Sequence, residues 1–223
     1  MRRLLFPVLL GLVGVAILAS LGVWQLRRLE AKEALIAAIE ARIAAAPVAI
    51  PPAPDPLADR FLPVAVEGAL PGQEAPVLTT LGGRGPGYRI VAVLESAEGR
   101  RVLVDLGFVP EADRDRTRRA ERVRVVGNLA WPDETDRFTP RPDPEANTWF
   151  ARDVTAMAAA LGTEPVLVVA RSVEPPLGPV PVPLDASGVR NDHLGYAVTW
   201  FGLAAVWAVM SGALALRTWR RTT

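Results

Sequence analysis

The sequence predicts an α+β protein anchored at both ends. Two transmembrane helices, one N-terminal and one C-terminal, flank a mainly antiparallel extracytoplasmic sheet domain with one short helix. Three observations carry this. Leu4–Trp24 and Leu194–Leu216 are free of charged residues. At about 1.5 Å per residue, each run is long enough for the roughly 30 Å hydrocarbon core of a bilayer. The region between them alternates short Val/Ile/Leu-rich runs with turn residues, as strands do. All 24 carboxylates of the chain lie in that region, between Glu30 and Asp192.

Inside a bilayer each backbone amide must be satisfied within its own segment, so both apolar runs should be helices. Met1-Arg2-Arg3 resembles the basic start of a signal peptide, but the run that follows is longer than such peptides use, and the helix is expected to stay as an anchor (1–26). Five of the 25 basic residues, Arg2, Arg3, Arg217, Arg220 and Arg221, lie outside the two spans. Both tails are thus short and purely basic, which places them in the cytoplasm and the central region outside it. Arg27, Arg28 and Lys32 oppose this, but they mix with Glu30 and Glu33 and precede a long loop.

Leu29, Ile36, Ile39 and Ile43 recur at helical spacing, so a juxtamembrane helix (27–46) is expected to continue the first span until Pro47. Residues 47–56 read as a Pro-rich linker. The sheet domain (57–192) has strand candidates at 61–70, 76–81, 88–94, 101–108, 123–129 and 165–170. Asp153 is placed to cap a short helix that runs through Leu161 and stops at Gly162. Five prolines between Pro175 and Pro183 lead back to the second span (193–216), and a basic tail (217–223) follows.

Composition excludes several functions. The acidic central region disfavours nucleic acid as a partner. The arginines from Arg114 to Arg124 are interrupted by Asp115 and Glu121 and read as a solvated surface. Gly82-Gly83-Arg84-Gly85-Pro86-Gly87 has the glycine content of a phosphate cradle. The chain's lone lysine is Lys32, however, and Pro86 breaks the dinucleotide spacing, so a flexible hairpin loop is expected. Ser96, Ser172 and Ser187 carry no nucleophile motif, and Asp133 and Asp136 sit in an exposed loop. The protein is read as no enzyme.

The chain contains one histidine, His193, and no cysteine. Asn191 or Asp192 is a suitable N-cap for the second span, which puts His193 in its first turn. Tyr196, Trp200, Ala204 and Trp207 follow on one helical face. Such a face offers one ligand atom and then aromatic rings, and neutral imidazole is a common metal and haem ligand. The same residues also suit the aromatic belt of a membrane interface, as does Trp24 at the end of the first span. Taken alone, they favour the belt reading. Gly11, Gly14 and Gly202 permit close helix packing.

Five segments resemble the surfeit-locus-1 family of cytochrome c oxidase assembly proteins. Gly22-Val23-Trp24-Gln25-Leu26-Arg27-Arg28 with Lys32 looks like the family's first-span signature, and Gly87-Tyr88 like its strand entry. Leu106-Gly107-Phe108-Val109-Pro110 and Asn147-Thr148-Trp149-Phe150-Ala151-Arg152-Asp153 are similar to two central motifs. Asn191-Asp192-His193-Leu194-Gly195-Tyr196-Ala197-Val198-Thr199-Trp200-Phe201 resembles the second-span signature. Leu106 and Phe108 stand where the family has arginine and tryptophan, and Asp192 where it has asparagine. The resemblance implies a non-enzymatic assembly factor for a haem-copper oxidase in a bacterial inner membrane. It would take haem a from haem A synthase and aid its insertion into the large oxidase subunit. His193 would be the axial iron ligand, with Tyr196, Trp200 and Trp24 beside the cofactor. The alternative is a cofactor-free membrane scaffold for oxidase subunits.

Overall fold

The computed structural model describes residues 2–143 and 145–220. Met1, Pro144 and the end of the basic tail, Arg221 to Thr223, lie outside the described residues. The elements are α1 (Arg2–Ala44), β1 (Pro63–Leu70), β2 (Glu74–Leu81), β3 (Gly85–Ser96), β4 (Arg101–Pro110), β5 (Ala120–Ala130), α2 (Val154–Leu161), β6 (Leu167–Glu174) and α3 (His193–Arg220). They fall into two compact units. One holds α1 through Ala38 together with the chain from Ala186 onward, and the other is Ile39–Asp185.

The second unit is a six-stranded sheet in the order β1-β5-β6-β4-β3-β2. β1 pairs with β3 as well as with β5, through Gly68↔Ser96 and Ala69↔Glu95. This extra pairing closes five strands into a barrel and leaves β2 outside, hydrogen-bonded to the first part of β3. The β4–β6 pair is parallel while the other strand pairs are antiparallel, so the sheet is mixed.

Side-chain alternation divides the core in two. Val64, Val66, Ile90, Leu94, Val104, Leu106, Val125 and Val168 belong to one buried cluster within the barrel. Val91, Leu103, Leu167 and Val169 point the other way and pack beneath Val154, Met157 and Ala158 of α2. β4 is covered on both faces from Val102 to Val109, and for that reason its sequence is a nearly unbroken apolar run. α2 has the expected ends: the Asp153 carboxylate accepts from the Ala156 N–H at 3.0 Å, and Gly162 stops the helix in the left-handed conformation at φ 65°.

The glycine-rich stretch is the expected hairpin, with Leu81 opposite Gly85 and Gly85–Gly87 already in strand. The proline segments differ from the expected free linkers. The Pro-rich linker is stitched to the sheet. Val48 donates to Pro63 O at 3.0 Å and accepts from Ala65 N at 2.9 Å, while Arg100 donates to the carbonyls of Ile50 and Pro51. The second proline segment is likewise pinned, since Phe108 and Val180 exchange both backbone hydrogen bonds.

A buried charge lies beneath that second strap. Asp105 has no solvent exposure. Its Oδ2 accepts from Arg89 Nε at 2.7 Å and Arg152 Nη1 at 3.1 Å, and its Oδ1 accepts from the Gly107 N–H at 3.1 Å. Arg89 also donates to Val182 O at 3.0 Å, tying the strap to β3. A carboxylate out of water is tolerated only when paired and hydrogen-bonded in this way. Gly107 is required at the bulge that follows: its φ is 114°, and a Cβ there would sit 2.1 Å from Val180 O.

Arg152 extends the network to Glu134, which receives the Arg152 Nε, Nη2 and backbone N–H. Burial pushes the Glu134 carboxyl up, but the Arg152 hydrogen bonds and charge outweigh it and hold the group below its ordinary value. A depressed carboxylate contributes stability above its unfolded pKa, and that contribution is lost as pH falls through the folded one. Glu134→Gln should therefore flatten the fall in melting temperature between about pH 5 and pH 3. Thermal melting of the detergent-solubilised chain checks this, and an unchanged acid slope would contradict it.

Candidate functional site

The first unit contains two helices long and apolar enough to cross a membrane. Their mutual contacts follow one stripe of α1. A Cβ on Gly11 would lie 2.7 Å from the Ser211 Cβ, one on Gly14 2.1 Å from Trp207 Nε1, and one on Gly22 2.7 Å from the Phe201 ring. Spacings of three and eight residues keep these glycines on one face. Their partners run in the reverse order along α3, so the helices pack antiparallel. Ala197 and Ala204 are the buried small residues on the α3 side. Without side chains at these points the two backbones approach closely, as helices in lipid require for van der Waals attraction. Gly11 and Gly14 thus do what was expected of them. Gly202 does not, because a Cβ there meets nothing within 4 Å.

The stripe ends at a polar contact. Gln25, three residues beyond Gly22, is 8% exposed. Its Oε1 lies 2.7 Å from Nδ1 of His193. His193 is the first residue of α3 and half-buried. The Tyr196 N–H reaches back to Asp192 O at 3.3 Å, which makes Asp192 the cap position. The Asp192 carboxylate accepts from Arg190 Nε at 2.7 Å. Among the described residues, His193 Nε2 makes no hydrogen bond, and no group of three or more His, Cys, Asp or Glu could hold a metal ion.

The aromatic residues are divided between surfaces. Trp207 faces α1, packed over Gly14, and its Nε1 is 3.4 Å from Leu10 O. Trp200 is half-buried. Tyr196 is 56% exposed. Trp24 is 49% exposed and lies under the Arg28 guanidinium, 5.6 Å from its ring centroid. The structure joins His193 to Gln25, the neighbour of Trp24, and leaves the Trp24 ring half-exposed beneath Arg28. Gln25 lies within the first-span motif, and nothing in its residue type alone marks it as a partner of His193. The available signal was an amide at the end of an uncharged span, in register with Gly11, Gly14 and Gly22.

The donor set fits a haem with one protein ligand. There is one imidazole, its Nδ1 is engaged, its Nε2 makes no hydrogen bond among the described residues, and aromatic residues lie on the next two turns of the same helix. It does not fit a metal cage.

Most of the chain is similar to known proteins. The model of the SURF1 family matches residues 12–205, a span that includes Gln25 and His193. The SURF1-like protein of Monosiga brevicollis is 33% identical over 210 residues, covering 86% of this chain and 80% of its own length. Surfeit locus protein 1 of Homo sapiens is 31% identical over 210 residues, covering 83% of this chain and 70% of its own. A bacterial relative, the SURF1-like protein of Rickettsia felis, is 27% identical over 207 residues, with coverage of 88% and 91%. The chain belongs to the SURF1 family of cytochrome oxidase assembly factors.

Proposed function

We propose that this protein holds haem a at His193 and aids its insertion into the large subunit of a haem-copper cytochrome c oxidase, having received it from haem A synthase. The observation that carries the reading is the imidazole at the start of α3, bonded through Nδ1 to Gln25 and open at Nε2. Bound there, the haem iron supplies a Lewis-acid centre for one nitrogen lone pair. His193 supplies that lone pair. Trp200, Tyr196 and, from α1, Trp24 offer flat apolar surface to a planar ligand. A carrier has to release what it binds, and one side-chain ligand with modest ring contacts keeps the exchange reversible. The role is binding and hand-over, with no bond made or broken in a substrate.

The same reading sets the orientation. Arg217 and Arg220 at the end of α3 follow an uncharged span, and the positive-inside rule keeps such an end in the cytoplasm of a bacterial cell membrane. The sheet domain is then periplasmic. A periplasm-active reporter fused to the C-terminus should be silent, and activity there would reverse the orientation.

Haem content tests the ligand assignment. Purified from cells that make haem A, the native chain should show a Soret band that His193→Ala reduces by about tenfold or more. Equal haem in both overturns the assignment. Absence of haem from both points to the cofactor-free scaffold.

A further inference from the structure

We infer that Gln25 is a positioning residue: it fixes His193 as the tautomer protonated on Nδ1 and so aims the Nε2 lone pair away from the helix pair. This deepens the haem-carrier reading and rests on it for its purpose, but the tautomer itself is a property of the protein without haem.

The argument is geometric. At 2.7 Å the Nδ1···Oε1 contact is a hydrogen bond. A carboxamide oxygen can only accept, so the proton lies on Nδ1. In a neutral ring the lone pair is then on Nε2. Histidines that bind metals commonly have their second nitrogen held by an acceptor, which fixes the ring orientation and raises its basicity. Here that acceptor comes from the other helix.

Gln25 is itself held in place. It is 8% exposed, and one turn back the Phe201 ring fills the space that a Gly22 side chain would need. On the α3 side, Ala197 is one turn after His193 and 1% exposed. Small residues thus bring both polar groups to the seam, where the partly buried setting strengthens the bond. A ring free to rotate would present either nitrogen. A ring tied to Gln25 presents one.

The chain has a single histidine, so one imidazole signal needs no assignment. The protein would be purified through a histidine-free tag, labelled with 15N-histidine and reconstituted in nanodiscs without haem. Spectra would be recorded near pH 9, well above the ordinary histidine range. The native chain should show a protonated Nδ1 and an unprotonated Nε2. Gln25→Met, close in volume but without the acceptor, should revert to the Nε2–H form that free histidine prefers. Gln25→Glu keeps an acceptor and should retain the native pattern. An Nε2–H signal in the native chain overturns the inference, and so does an unchanged Nδ1–H signal in Gln25→Met. Should Gln25→Met fail to fold, the native and Gln25→Glu spectra still decide.

Titration with ferric protoporphyrin IX separates this inference from the haem reading. Gln25→Met should weaken binding by about 10- to 100-fold. Equal affinity in the native chain and His193→Ala would remove the haem reading and leave the tautomer result standing. Normal affinity in Gln25→Met, with His193→Ala impaired, would remove the positioning role alone.

Discussion

Two helices in a bilayer gain nothing by hiding apolar surface from one another, because lipid tails are as apolar as they are. Association of α1 with α3 must come from close contact, and close contact needs positions without side chains. Gly11, Gly14 and Gly22 provide them, set against Ser211, Trp207 and Phe201. The same stripe carries Gln25 to Nδ1 of His193. The polar bond follows the packing: one turn before Gln25, the Phe201 ring occupies the place a Gly22 side chain would take. His193 and Gln25 are thus 168 positions apart in sequence and brought together by the pairing of the two helices.

The sheet domain is built around a comparable constraint. Asp105 is a carboxylate removed from water, so its neighbours are dictated: Arg89, Arg152 and the Gly107 N–H. Through Arg89 the network ties the second proline strap to β3, and through Arg152 it reaches the loop bearing Glu134. Gly107 and Arg152 both lie in segments that drew attention as motifs. The structure gives each a physical reason: a positive φ beneath the Val180 carbonyl for one, and a shared carboxylate for the other.

The elements that could be read from sequence are those whose signals are local. An uncharged run identifies a membrane helix, and Asp153 with Gly162 marks the two ends of α2. β4 announces itself by continuous apolarity, since both its faces are covered. What could not be read is set by partners far along the chain. The parallel β4–β6 pair and the β1–β3 closure depend on sheet order, which no single segment encodes. The proline segments resemble free linkers because proline lacks a donor, yet Val48 and Val180 each exchange backbone hydrogen bonds with the sheet domain. At the site, the histidine and its aromatic neighbours stood out by residue type. Gln25 did not, because its role depends on which face of α1 meets α3, and Gly202 was misplaced for the same reason.

The antiparallel pairing of α1 with α3 along the glycine stripe underlies everything else at the site, and the absence of cysteine from the chain allows a direct test. A Cβ introduced at Gly11 would lie 2.7 Å from that of Ser211. This is inside the ~3.8 Å of a disulfide, so a separation of about 1 Å is enough to admit one. In the Gly11→Cys, Ser211→Cys double variant, mild oxidation followed by proteolysis between the spans should leave the two helical fragments joined until reductant is added. Pairing Gly11→Cys with Gly202→Cys should leave them separate. Fragments that part without reductant in the first variant, or that are joined equally in both, would contradict the arrangement.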